Sequence, residues 1–166
     1  AYEIRIRDWS SDVCSSDLAT YAHGAGYKSL TKYSNADGLM SLDATDDVAT
    51  STWGGTWRMP TKDEWIELQE NCVWTWTDDY NQTGVAGYVV ASKSSDASLF
   101  LPAAGCRYAN QFNEKGVHGY YWSSSLYQTS TYCGSAYQLQ FTQVYAKPDW
   151  NYARYYGSSV RGVCNP

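Results

Sequence analysis

The sequence predicts an α+β fold, and three observations carry that expectation. A capped helical stretch with one apolar face begins at Thr61. A weaker helical signal precedes it at Thr45. From Val73 onward, short strand-like runs alternate with long polar connections, so helices come early and strands late.

The elements follow in order. Residues 19–40 are rich in Gly, Ser and Tyr and read as loop. Residues 45–52 read as a short helix: Thr45 offers an N-cap, Asp46 and Asp47 suit the positive end of the helix dipole, and Gly54-Gly55 stops it. Residues 61–71 form the clearest helix. Thr61 and Glu64 make a capping box, Asp63 adds a second first-turn carboxylate, and Trp65, Leu68 and Cys72 recur at i, i+3 and i+7 on one face. Strands are expected at 73–77, 87–92, 99–101, 120–125, 136–142 and 159–164, with turns at 78–84 and 93–97. The linking segments 103–117, 127–134 and 143–156 are long and polar, a length that inside a compact domain marks functional or disordered chain.

Residues 1–18 are set apart from this domain. Ala1-Tyr2-Glu3-Ile4 and the run from Asp8 to Leu18 translate the two constant segments of a widely used sequencing adapter, with Arg5-Ile6-Arg7 in the place of the index bases. The expected domain is therefore 19–166, truncated at its N-terminus and with any signal sequence missing from this fragment. Removing the run takes away Trp9, Cys14, two arginines and four carboxylates, and the net charge moves from −5 to −3. About 148 residues suffice for one domain with a real core.

No apolar run approaches the roughly 20 residues of a membrane span, and the mild acidity leaves no basic footprint for nucleic acid. Tyr (16) and Trp (8) far outnumber Phe (3) and Met (2). Aromatics with polar tips among Ser, Gly and Asn suit a recognition surface; a Tyr-rich β-protein whose rings simply favour strands gives the same composition. Four cysteines remain in the domain. Cys72, after the helix, and Cys164, in the last strand, are one expected disulfide, which leaves Cys106 with Cys133; buried thiols are the alternative.

Several motifs converge on one family. Trp53-Gly54-Gly55-Thr56-Trp57-Arg58-Met59-Pro60-Thr61, followed by Glu64-Trp65, resembles the helix start of the formylglycine-generating-enzyme superfamily. The continuation resembles a subgroup, the Fibrobacter succinogenes major paralogous domain. Its hallmarks stand here as Asn71-Cys72-Val73-Trp74-Thr75-Trp76, Gly87-Tyr88, Phe100-Leu101-Pro102-Ala103-Ala104-Gly105 with Arg107-Tyr108, Gly119-Tyr120-Tyr121-Trp122-Ser123-Ser124-Ser125, and Arg154-Tyr155-Tyr156-Gly157 with Ser159-Val160-Arg161 and Val163. The resemblance implies a C-type-lectin-like fold, two helices packed on a small twisted antiparallel sheet with long loops. It also implies an extracellular or outer-membrane surface setting in Bacteroidota-like bacteria, commonly as a lipoprotein.

The residues give no support to catalysis. The oxidising enzymes of the superfamily carry reactive cysteines near an Arg-Gly-Gly-Ser-Trp region. Here Trp122-Ser123-Ser124-Ser125 stands in the comparable place without a cysteine pair. Cys133 has no nearby His or Lys in sequence to lower its pKa. His23 and His118 lie far apart and read as solvated, and the pairs Asp46-Asp47, Asp63-Glu64 and Asp78-Asp79 are explained by helix starts and a turn. Arg107, Arg154 and Arg161 read as loop braces. Lys147-Pro148-Asp149-Trp150-Asn151 echoes a calcium-lectin loop, but a lysine replaces one acceptor and a single carboxylate remains, whereas calcium takes about six to eight oxygens. No cofactor is therefore expected, with calcium only weakly supported. The expected function is non-catalytic recognition or adhesion, with a glycan or cell-surface protein as partner. Its contact face is expected at Tyr108, Tyr127, Tyr132, Tyr145, Trp150, Tyr152 and Tyr155. An alternative is the variable protein of a diversity-generating retroelement, suggested by Tyr127, Gln128, Ser130, Tyr132, Cys133, Ser135, Tyr137, Tyr145, Asp149, Asn151 and Tyr152.

Overall fold

The computed structural model describes residues 30–109 and 111–164. The adapter-like run, the loop residues before 30 and His23 lie outside the described residues. In chain order the elements are α1 (Val48–Trp53), β1 (Trp57–Arg58), α2 (Lys62–Asn71), β2 (Cys72–Thr77), β3 (Gly87–Ser92), β4 (Ser98–Pro102), β5 (Cys106–Tyr108), β6 (Gln111–Asn113), β7 (Gly119–Tyr127), β8 (Ser135–Thr142), β9 (Tyr145–Ala153) and β10 (Val163–Cys164). All pairings within these strands are antiparallel. They form four small sheets, ordered β2-β3-β4, β7-β8-β9, β5-β6 and β1-β10.

This corrects the expected fold class. Strand occupies 43% and helix 14% of the described residues, so the chain is mainly β and not an α+β, C-type-lectin-like assembly of two helices on one sheet. The physical reason lies in segments that look like polar loop. The stretch 143–156 contains β9, nine residues long, and 103–117 contains the β5-β6 hairpin. Among the described residues β9 pairs with β8 alone, so one edge carries no neighbour, and Pro148 is the one buried residue of its nine. An edge strand tolerates Lys, Asp and Pro that an interior strand would not. Pro148 falls where the register slips between Gln138↔Trp150 and Gln140↔Lys147, a bulge that spares the ladder its missing N–H. Conversely, the strand expected at 159–164 shrinks to β10.

The two helices differ in quality. α2 is capped as its sequence dictates: Thr61 Oγ1 accepts from Glu64 N at 3.2 Å, and Glu64 Oε2 accepts from Thr61 N at 2.8 Å. Arg58 then grips Glu64 through both guanidinium nitrogens at 2.7 and 2.6 Å. Burial alone would raise the Glu64 carboxyl, but the bonds from Arg58 and Thr61 outweigh it and hold the group below its ordinary value. α1 has six residues, and its cap is Asp47 in place of Thr45. Asp47 accepts from Thr50 N and also from Met59 N, tying the helix to the approach to α2.

The interior has two apolar centres. Trp65, Tyr88, Val90, Leu99, Leu101, Tyr121, Leu139 and Phe141 fill the first, between α2 and the two three-stranded sheets. Tyr33, Ala49, Met59, Trp122, Leu126 and Ala136 fill the second. β7 divides them: Tyr121 enters one centre and its neighbour Trp122 the other, as the two-residue period of a strand requires. Between Trp122 and Leu126 the β7-β8 register shifts, and Ser123-Ser124-Ser125 bulges out of the ladder. Its groups find partners elsewhere. Ser123 Oγ donates to Tyr137 O at 2.8 Å, Ser124 N donates to Pro60 O at 2.8 Å, and Ser125 Oγ accepts from Lys62 N at 3.1 Å. The serine run thus links β7 to the start of α2.

Candidate functional site

Cross-strand partners point to the same side of a sheet. In β7-β8-β9, Tyr121, Leu139, Phe141 and Ala146 therefore share the side covered by α2, where Gln69 Nε2 donates to Ala146 O at 2.7 Å. Tyr120, Gln138, Gln140, Tyr145, Lys147, Trp150 and Tyr152 share the opposite side. α2 occupies one side; on this second side Trp122, Leu126 and Ala136 are covered by the second apolar centre, and the remaining positions carry the aromatic rings.

The rings there form a connected array. Tyr152 meets Tyr156 at 4.4 Å between centroids and Tyr120 at 6.3 Å. Tyr156 stacks on Tyr155 at 5.1 Å and on Tyr108 at 4.9 Å. His118 stacks on Tyr120 at 5.5 Å. At the other end of β9, Lys147 Nζ stands 4.8 Å from the Trp150 ring centre and 5.5 Å from that of Tyr145, and Gln140 Nε2 donates to Tyr145 Oη at 3.2 Å. Tyr108 and Trp150 are the exposed rings, at 44% and 41% of full accessibility. Tyr120 is buried and donates its hydroxyl to Glu114; burial first, then that carboxylate, raises its pKa far above the ordinary tyrosine value. Tyr156 is pushed up to about 12 by burial and by its bond to Tyr152. Both phenols therefore stay neutral at physiological pH.

Of the seven expected contact residues, Tyr108, Tyr145, Trp150, Tyr152 and Tyr155 fall on or against this face. Tyr127 does not: it pairs opposite Ser135 and packs edge-on against Tyr137, whose ring carries Lys62 at 5.0 Å on the α2 side. Tyr132 sits in the β7-β8 loop, its hydroxyl accepting from Ser135 Oγ at 3.2 Å. Tyr152 is partly core, since it also packs against the second apolar centre. The residues that suggested a diversified surface are spread over both sides of the sheet: Tyr137 and Asn151 pair on the α2 side, Tyr145 and Tyr152 on the other.

Tyr120, Tyr156 and Gln140 belong to the array although their sequence positions did not announce it, while Gln138 lies on the same side but is fully buried. The alternation Tyr120, Tyr121, Trp122 was the available signal, but only the register with β8 tells which ring joins the array. His118 is not a solvated loop histidine; it is stacked and half-buried, with Nδ1 3.7 Å from Glu114. Arg154 and Arg107 brace loops as expected: Arg154 donates to Tyr33 O and Cys133 O, and Arg107 to Ala109 O. Asp149 is an exposed edge-strand residue, and among the described residues no three His, Cys, Asp or Glu side chains gather to hold a metal. Neither expected disulfide forms. Cys72, Cys106 and Cys133 are thiols, because Cys72 opens β2 while Cys164 pairs opposite Trp57 in another sheet, and Cys106 lies opposite Asn113 inside its hairpin. Burial raises the Cys72 and Cys106 thiols, the latter further raised by Glu114.

Residues 85–163 match the model of a family described as a domain of unknown function, DUF8237. The matched stretch runs from the approach to β3 into β10 and contains the whole aromatic array. No curated protein and no solved structure matches the chain. No helix among the described residues is long and apolar enough to cross a membrane.

Proposed function

We propose that this chain is a non-catalytic recognition module of a bacterial surface protein that captures a glycan on the β7-β8-β9 face opposite α2. The observation that supports it is the continuity of the array: Tyr108, Tyr155, Tyr156 and Tyr152 join ring to ring, and Tyr145, Lys147 and Trp150 extend the same side. Flat, partly exposed rings accept the apolar faces of sugars, and neutral hydroxyls and amides at their edges bond to sugar hydroxyls. Gln140, beside Tyr145, and Ser158, whose Oγ donates to the Gln138 side chain at 3.2 Å, supply such groups. The extracytoplasmic setting follows from the motif resemblance to the Fibrobacter succinogenes major paralogous domain.

A glycan array probed with the whole chain and with Tyr108→Ala and Trp150→Ala tests the reading. Both rings are exposed but rest on neighbouring side chains, so each truncation should cost about 0.5–1.5 kcal/mol, too little to unfold the domain, while removing most glycan signal. Binding that survives both changes, or an array with no glycan bound, would overturn it.

A further inference from the structure

The β9 end of the aromatic face carries a cation. Register sets Thr142 opposite Tyr145, Gln140 opposite Lys147 and Gln138 opposite Trp150, so Tyr145, Lys147 and Trp150 follow one another along the same side. Lys147 and Trp150 are exposed, and Tyr145 and Gln140 are half-buried, so the group is open to solvent. Lys147 Nζ reaches both rings, 5.5 Å from the Tyr145 centre and 4.8 Å from that of Trp150. Ring faces hold an ammonium in place without neutralising it. Among the described residues no carboxylate pairs with Lys147. Asp149 falls in the β8-β9 bulge, and Glu114, beside Tyr120 at the far end of the array, is bonded to that phenol.

Resting on the glycan reading, we propose that this end of the face selects an anionic sugar residue, its ring stacked on Trp150 and its acid group seated on Lys147 Nζ. An edge strand uses lysine to deter pairing with other chains, and that role needs only the charge. Here two rings flank the charge and Gln140 brings an amide beside them, which adds the flat surface and the polar edge that a sugar requires. The chain as a whole is acidic, with a net charge of −5. Charges more than about 8 Å away are largely screened at physiological salt, so the local cation decides what docks on it. A lysine is a compact point charge with no fork to match. Carboxylate and sulfate ester therefore share the chemistry that it recognises.

Titration calorimetry of the whole chain with matched pairs reads the proposal directly: oligogalacturonate and its methyl ester, hyaluronan oligosaccharide and its methyl ester, carrageenan oligosaccharide and its desulfated form. In at least one pair the acidic member should bind about tenfold or more tighter than its neutral partner, a margin of about 1.4 kcal/mol. Whether that pair carries carboxylate or sulfate identifies the source of the charge. The ratio should shrink as salt is raised to about 1 M, where the screening length is about 3 Å. Lys147→Gln keeps a polar side chain on the edge strand and should bring the ratio close to one, Lys147→Arg should retain it, and Trp150→Ala should weaken both members. Neutral members bound as tightly as acidic ones in every pair, or a preference that persists in Lys147→Gln, would overturn the anionic assignment and leave the glycan face standing. No binding of either member of any pair would defeat the glycan reading and the assignment together.

Discussion

Replacing Gly119 by alanine tests the packing of the first apolar centre with a single methyl group. Gly119 pairs opposite Phe141, and its φ is not positive, so the backbone itself admits alanine. A Cβ placed there would lie closer than 3.0 Å to Cζ, Cε1 and Cε2 of Phe141, inside any real contact. The ring cannot swing aside. It is fully buried, with Tyr88 at 5.3 Å, Tyr121 at 5.9 Å, and Trp74 and Trp76 each at 6.4 Å between centroids. Gly→Ala at a permitted position stabilises by about 0.4–1 kcal/mol through the unfolded chain, whereas overpacking costs about 1–3 kcal/mol. The second effect should win, for a net loss of about 1–2 kcal/mol. Phe141→Leu removes the ring that obstructs the methyl and by itself should cost about 1–3 kcal/mol. Together they should cost less than the sum, by at least about 1 kcal/mol of coupling. Urea unfolding followed by tryptophan fluorescence, with unchanged m-values, measures all four corners of the cycle. Strict additivity, or a Gly119→Ala chain as stable as the parent, would refute the contact.

Three further outcomes follow from the described geometry. Glu64→Gln should cost about 1–3 kcal/mol at pH 7 through its bonds to Arg58 and Thr61; because the folded carboxyl lies below its unfolded value, that advantage is complete above the ordinary carboxylate range and is lost as pH falls from there through the lowered folded value, so the two thermal midpoints should converge only in acid below the ordinary carboxylate range. Ser123→Ala leaves Tyr137 O without its buried donor and should cost about 1–3 kcal/mol, read by denaturant unfolding; a neutral result would show that the serine bulge is not held by that bond. Alkylation in denaturant without reductant should label Cys72, Cys106 and Cys133, while under native conditions Cys106 should react slowly, being buried with a raised pKa. Protection of these thiols in denaturant would restore the disulfide expectation.

What the sequence revealed depends on how local each signal is. The capping box of α2 is complete within four residues, and the helix follows from Thr61 as read. The central strands, rich in Val, Trp and Tyr, are equally legible: the run 87–92 coincides with β3 and 136–142 lies within β8. β9 escaped because Lys147, Pro148, Asp149 and Asn151 carry no apolar alternation, and their strand character is imposed by β8 alongside. The aromatic face was half legible for the same reason. Composition pointed to tyrosines, but whether Tyr127 or Tyr120 joins Tyr152 is decided by register across three strands and a bulge, information that no single segment contains. Arg161 looked like a loop brace beside Arg154; only the folded chain shows that Arg154 holds loop carbonyls while the buried Nε and Nη2 of Arg161 meet none.

The placement of Tyr121 and Trp122 on opposite sides of β7 has a further consequence. Adjacent residues anchor separate apolar centres, so the departure of β7 opens both at once. Amide protons of β7 should therefore exchange only through global opening, and both halves should lose protection at one common denaturant concentration.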